Sequence, residues 1–255
     1  MSTAESAAAP LEVVVLGVGD AFSERYRTSS LLLACGGFHL AVDCPDMYLA
    51  ALSAASSRSG RTLAAADVDH VLITHVHGDH MNGLEGLAFY KHLGEAKRLK
   101  LVASPEVRAV IWEQRLQASM GALWDGKRLR QLSFDDYFEF IPLSWTEEIE
   151  VGPFRIRSRR TRHHLPTSAL RIEAAGRTLG YSSDTSFDPE LIAFLEPSDL
   201  IIHETNLGPA HTDYEALAAL PPGLRRKMRL IHYPDGFDAS ASAIPALSEG
   251  EVLHP

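Results

Sequence analysis

Cysteine is scarce in this chain. Cys35 and Cys44 are the only two among 255 residues, too few for a disulfide framework and suited to a reducing, cytoplasmic compartment. Long apolar runs are lacking too, and no segment approaches membrane-spanning length. Positive charge is in deficit: a net charge of -9 excludes a broad basic footprint for nucleic acid, although it leaves room for a local patch. The first ten residues are rich in Ala and Ser, with neither a basic start nor an apolar core. They read as a disordered lead-in, not a signal peptide. What is present is ordinary for a globular enzyme: 45% hydrophobic and 22% charged residues, in a chain long enough to bury a sizeable core. No break in composition marks a boundary, so one domain over residues 1–255 is expected, with a lead-in at 1–10 and a peripheral tail at 239–255.

Glu12–Leu16 is a β-branched run and predicts a strand. It leads into Gly17-Val18-Gly19-Asp20, where a dinucleotide fingerprint would need glycine at the position of Phe22, so a plain strand-to-loop turn is the better reading. Strands near Ser29–Ala34 and Phe38–Val42 form a hairpin over Gly36-Gly37, and a helix is expected from Asp46 to Ala55. Val68–Ile73 reads as a strand buried on both faces. Further expectations are a helix through Leu84–Leu93, a strand at Leu99–Ala103, and a helix Glu106–Ser119 introduced by Ser104-Pro105. Gly121–Arg130 reads as a loop, and Phe134–Phe140 has no clear pattern. Strands resume at Glu148–Val151, Phe154–Ser158, Ala169–Ala174, Thr178–Ser182, Leu200–His203 and Arg229–Ile231. Two sheets with helices on their outer faces accommodate this order.

The chemistry concentrates in Thr74-His75-Val76-His77-Gly78-Asp79-His80, directly after an apolar strand, where open α/β sheets place their sites. Alternate residues of an extended loop point the same way, so His75 and His77 can grip one ion together while Asp79 and His80 face a neighbouring position. Imidazole and carboxylate suit zinc, manganese or iron. Further ligands should come from other strand ends: His163 or His164, Asp184, His203, His211 and His232. Asp43, Asp67 or Asp69 could accept the second N–H of a ligating histidine. The stripe Arg155, Arg157, Arg159, Arg160 and Arg162 reads either as a phosphate-binding edge or, slightly better, as a solvated edge strand whose charges prevent aggregation.

His75-Val76-His77-Gly78-Asp79-His80 resembles the His-x-His-x-Asp-His signature of the metallo-β-lactamase fold superfamily, and the order of later pieces is similar over residues 12 to 235. The branch it resembles most contains ribonuclease Z and the cyclic phosphodiesterases related to the phosphonate-pathway enzyme. The segments that carry this are Leu16-Gly17-Val18-Gly19-Asp20-Ala21, Val42-Asp43-Cys44-Pro45, Tyr181-Ser182-Ser183-Asp184-Thr185 and Ile201-Ile202-His203-Glu204-Thr205. The resemblance implies an α/β (α+β) fold, a four-layer αββα sandwich of two mixed sheets. It implies two divalent ions, zinc first, with manganese or iron as alternatives. His75, His77 and His163 would hold one ion; Asp79, His80 and His232 would hold the other; Asp184 would bridge. His163 is preferred because it sets Pro166-Thr167 and Ala169-Leu170 in the family's register without a gap, and His164 stays open.

By the same resemblance a hydroxide shared by the ions is the nucleophile, Asp79 orients it, and His211 protonates the leaving group with Glu204 orienting His211. The ribonuclease Z arm that grips transfer RNA is glycine-rich, and no stretch here has that composition. The segment expected as His-Glu-Ala-Thr is altered at Thr205-Asn206. The expected activity is therefore hydrolysis of a phosphodiester bond in a small or cyclic substrate. RNA cleavage, lactone or β-lactam hydrolysis, and a silent metal-binding scaffold are the alternatives. The partners implied are a small phosphate ester and no membrane; RNA is disfavoured and a homodimer is left open.

Overall fold

The computed structural model of the chain describes residues 9–255; residues 1–8 of the expected lead-in lie outside them. In chain order the first strands are β1 (Glu12–Gly17), β2 (Ser30–Cys35), β3 (Phe38–Val42), β4 (His70–Leu72) and β5 (Leu99–Ala103). A small hairpin, β6 (Ala122–Trp124) and β7 (Leu129–Gln131), precedes β8 (Phe138–Pro142). Then come β9 (Ile149–Val151), β10 (Phe154–Arg160), β11 (Ser168–Ala174), β12 (Arg177–Tyr181), β13 (Leu200–Glu204), β14 (Met228–Ile231) and β15 (Val252–Leu253). They form two large mixed sheets, ordered β15-β1-β2-β3-β4-β5-β8 and β14-β13-β12-β11-β10-β9.

Alternation along the strands builds the layers. Val13 and Val15 of β1 point to the core between the sheets, where they join Leu31, Leu33, Leu40 and Val42 against Phe154, Ile156, Ile172 and Ile202. Val14 and Leu16 point the other way, into a core closed by helices α1 (Tyr48–Ser59), α2 (Gly78–Met81), α3 (Leu84–Phe89) and α4 (Pro105–Ile111). On the far side Ile201, Met228 and Leu230 pack against the helix Pro189–Leu195 through Leu191 and Leu195. Helix, sheet, sheet, helix is the expected αββα sandwich. Among the described residues no helix is long and apolar enough to cross a membrane.

Three expectations need correction. Gly121–Arg130 is not simply a loop: Asp125 Oδ1 accepts the Lys127 and Arg128 amides, each at 2.9 Å, and this side-chain turn closes the β6–β7 hairpin. Residues 239–255 are not peripheral, since Ile244 and Leu247 are buried and β15 pairs with β1. Glu249 binds both Arg27 and Arg58. The small Ala/Ser-rich composition there hid these few anchoring residues. Finally, β10 lies between β9 and β11, so it is not an edge over Phe154–Ile156. Its arginines, and Arg162 just beyond it, are matched with carboxylates: Arg155 with Glu173, Arg157 with Glu148, Arg159 with Glu190, Arg160 with Glu106 and Arg162 with Asp188. The pairing favours the solvated reading of this stripe over a phosphate-binding edge.

Candidate metal centre

The residues that matter all stand just beyond strand ends at one rim of the sandwich. Asp43 follows β3, Thr74–His80 follow β4, His163 lies on the β10–β11 connection, Asp184 follows β12, Glu204 ends β13 and His232 follows β14. Three of these turns are strained. Asp43, Ser183 and His232 have φ of 63°, 50° and 60°, in the left-handed region that costs a non-glycine residue about 1–3 kcal/mol. Gly83 locks the same rim: its amide donates to Cys44 O at 2.9 Å, and a Cβ there would meet Pro45 O at 2.0 Å.

Two groups of ligand atoms contain the expected ligands, and a third overlaps them. In the first, His75, His77, His163 and Asp184 bring one atom each within 4.8 Å of one another; Asp79, His80 and His232 make the second group, and Asp184, His211 and His232 meet the same spacing. Asp184 spans them. Its Oδ2 lies 3.7 Å from His75 Nε2 and 4.0 Å from His163 Nε2, and its Oδ1 lies 3.3 Å from His80 Nε2 and 3.7 Å from His232 Nε2. Asp79 Oδ2 is 3.2 Å from His232 Nε2 and 3.3 Å from His80 Nε2.

The far nitrogens are held by the protein. His80 Nδ1 donates to Asp43 at 2.8 Å, His75 Nδ1 meets Thr74 Oγ1 at 3.1 Å, and His163 Nδ1 donates to the Ala210 carbonyl at 3.1 Å. Each Nε2 is thereby turned inward, the arrangement in which a protein fixes a ligating imidazole. His80 Nε2 is buried and makes no hydrogen bond. This donor chemistry fits divalent cations such as zinc. His77 differs, with Nδ1 inward, 3.0 Å from His75 Nε2, while its Nε2 meets His164 Nε2 at 2.9 Å. The structure thus brings His163 into the first group and leaves His164 exposed behind His77.

Burial, the largest influence, holds the His75 ring well below the usual histidine range and the His163 ring down at about 4. For His80 burial acts against charge, but Asp184 and Asp43 overcome it and raise the ring well above that range. Burial likewise opposes ionisation of Asp184, yet His232 and His80 hold its carboxyl well below the usual carboxylate range. His211 Nδ1 donates to the buried Glu204 at 3.1 Å. Burial again works against its charge, and Glu204 prevails, raising the ring. The ring stacks on His232 with centroids 5.3 Å apart.

Other candidates separate cleanly. His203 is buried, bonded to the Glu204 carbonyl at 2.7 Å, and belongs to neither group. Of the possible acceptors, Asp43 fills the role, Asp67 caps a short turn at Ala64, and Asp69 pairs with the buried Lys91. Sequence reasoning missed Asn206, 3.4 Å from His232 Nδ1, and Arg115. The guanidinium of Arg115 donates to the Val76 carbonyl at 2.7 Å and to Asn82 at 2.8 Å. Neither carries a local pattern that could have exposed it.

Residues 11–248 match the family described as "Anti-Pycsar protein Apyc1". The chain belongs to the Apyc1 family. An Apyc1 protein of Paenibacillus sp. (strain J14) is 31% identical over 240 residues, covering 91% of this chain and 93% of that protein. The "cAMP/cGMP-dependent 3',5'-cAMP/cGMP phosphodiesterase B" of Dictyostelium discoideum is 24% identical over 96% of this chain, which spans 22% of that protein. Among solved structures, the metallo-beta-lactamase fold protein YhfI from Bacillus subtilis superposes with a TM-score of 0.75 at 21% identity, covering 96% of this chain and 100% of that one. This Apyc1-family chain has the metallo-β-lactamase fold.

Proposed function

We propose that this chain is a metal-dependent phosphodiesterase that opens the cyclic phosphate of a 3',5'-cyclic nucleotide. The observation that carries the reading is the sharing of Asp184, one oxygen toward each group of ligand atoms. His75, His77, His163 and Asp184 would hold one cation, and Asp79, His80, His232 and Asp184 a second, with zinc the best fit to imidazole and carboxylate. When bound, such a pair supplies an acidified water and neutralises charge on the phosphoryl oxygens. The family match and the named activity of the Dictyostelium relative support the substrate class.

The chain's own groups have distinct tasks. Burial opposes ionisation of the Asp79 carboxyl, but the hydrogen bond from His232 and the neighbouring His80 ring hold it well below the usual carboxylate range, free to ligate and to orient a nucleophile. The pKa of His211 is raised beside Glu204, so the ring can carry a proton near neutral pH and deliver it to the departing sugar oxygen. Glu204 fixes that ring; its second oxygen, Oε2, is buried and unpartnered. The same proposal includes a cytoplasmic setting, supported by the two buried free thiols Cys35 and Cys44. It also includes a homodimer, supported by Trp124 and Leu129, which are 63% and 60% exposed on the β6–β7 hairpin.

The test is release of nucleoside 5'- or 3'-monophosphate from 3',5'-cyclic AMP and cyclic GMP by protein loaded with zinc or manganese. Turnover that disappears in His77→Ala is expected. No turnover with either metal on any cyclic nucleotide would defeat the reading.

A further inference from the structure

A cavity of about 310 Å³ opens directly beside His77, walled by Val76, Val107, Val110, Leu165 and Pro166. Val76 sits between two members of the first ligand group, and Leu165-Pro166 follow His163 and His164. Two of the walls are thus continuous with the segments that carry that group. Three polar side chains complete the lining: Glu106, Gln114 and Arg115. Two of them are committed elsewhere. Glu106 accepts from Trp145 Nε1 at 3.0 Å and from Arg160 at 3.3 Å, and Arg115 is spent on Val76 O and Asn82. The Gln114 amide has no hydrogen-bond partner among the described residues and stands exposed at the rim.

An apolar slot with one uncommitted donor–acceptor group is matched to a flat heteroaromatic ring with a polar edge. Its volume is at the low end of the roughly 300–1,000 Å³ of small-molecule sites, enough for one base and its sugar and too small for a run of them. Three larger cavities fit less well. One of about 500 Å³ has the Asp46 and Glu85 carboxylates in its lining, which oppose an anionic ester, another of about 450 Å³ lies around Leu207 and Phe237, and a third of about 390 Å³ lies around Pro222 and Arg229. None is lined by a member of the two ligand groups.

We infer that this cavity is the subsite for the nucleobase of the substrate, with Val107 and Val110 against the ring face and Gln114 reading its edge. This rests on the proposed cyclic-nucleotide activity, but its test does not need turnover. Calorimetry on the zinc-loaded chain compares adenosine 5'-monophosphate with ribose 5-phosphate, which carries the same phosphate without the base. The expected result is at least about tenfold tighter binding of the nucleotide, the discrimination an apolar pocket of this kind delivers. In Val110→Trp, which fills the slot, the ratio of the two affinities should collapse toward one. Gln114→Ala, at an exposed position where folding is not at risk, should lower the same ratio severalfold and change the ranking of adenine against uracil nucleotides. Equal affinity of the unaltered chain for the two phosphates, no binding of either, or an unchanged ratio in both variants would overturn the subsite. Failure of the hydrolysis proposal shows separately, as absent cleavage of cyclic nucleotides.

Discussion

Asp43 never reaches a cation in this arrangement, yet its removal should be felt strongly there. Its carboxylate is fully buried and accepts the Thr74 amide at 2.8 Å, the Thr74 hydroxyl at 2.9 Å and His80 Nδ1 at 2.8 Å. Asp43→Ala strands all three donors in a place water does not reach. Breaking one side of a buried charged pair costs about 3–5 kcal/mol, so the variant should lose that much in urea unfolding of the metal-free chain. Asp43→Asn is the sharper probe. The amide keeps the shape and can still serve Thr74, but it is a poorer acceptor for His80, whose ring is then free to turn. Loss of such a supporting hydrogen bond lowers metal affinity by about 10–100-fold. Competition against a chromogenic chelator should show one of two zinc ions weakened by that factor and the other nearly unchanged, because His75 and His163 lean on Thr74 and Ala210 instead. If Asp43→Asn binds both ions as tightly as the unaltered chain, the carboxylate does not orient His80 and the reasoning fails.

Other consequences are as direct. His211→Asn should slow cleavage of cyclic nucleotides by about 10²–10⁴-fold but spare p-nitrophenyl phosphodiesters, whose leaving group needs no proton; equal losses on both would remove His211 from that role. His203 is held at about 4 by burial, below the ~6.5 of an unfolded histidine, so the unfolded chain binds the extra proton. The stability contributed is full above about pH 6.5 and is lost as pH falls toward 4, by about 3 kcal/mol. Urea midpoints of the metal-free chain between pH 7.5 and 4.5 should fall more steeply for the unaltered chain than for His203→Gln, and parallel profiles would refute this. Leu247→Ala should cost about 2–5 kcal/mol as a buried leucine, whereas an effect below 0.5 would mean that the C-terminal segment is as peripheral as its composition implied.

The sandwich was legible because the strands alternate cleanly: Val13 and Val15 against Val14 and Leu16 is a two-sided pattern that needs a second sheet on one face and helices on the other. Six of the seven clustered side chains, all but His163, stand just beyond sheet strands whose apolar runs announced them, which is why motif spacing found the group. Register favours His163 over its neighbour, and its ring is turned inward by a bond to Ala210, a contact 47 residues away that no local pattern encodes. Arg115 and Asn206 were silent for the same reason. Both act through long-range bonds from ordinary-looking helix and loop positions. The arginine stripe stayed ambiguous for the same reason, because its carboxylate partners are spread from Glu106 to Glu190.

Anomalous scattering at the zinc edge from crystals of the zinc-loaded chain tests the central claim most directly. Two peaks are predicted, one among His75, His77 and His163 and one among Asp79, His80 and His232, each within bonding distance of a different oxygen of Asp184. A single peak, or two that leave Asp184 uncoordinated, would contradict the shared-carboxylate centre from which the proposed chemistry is derived.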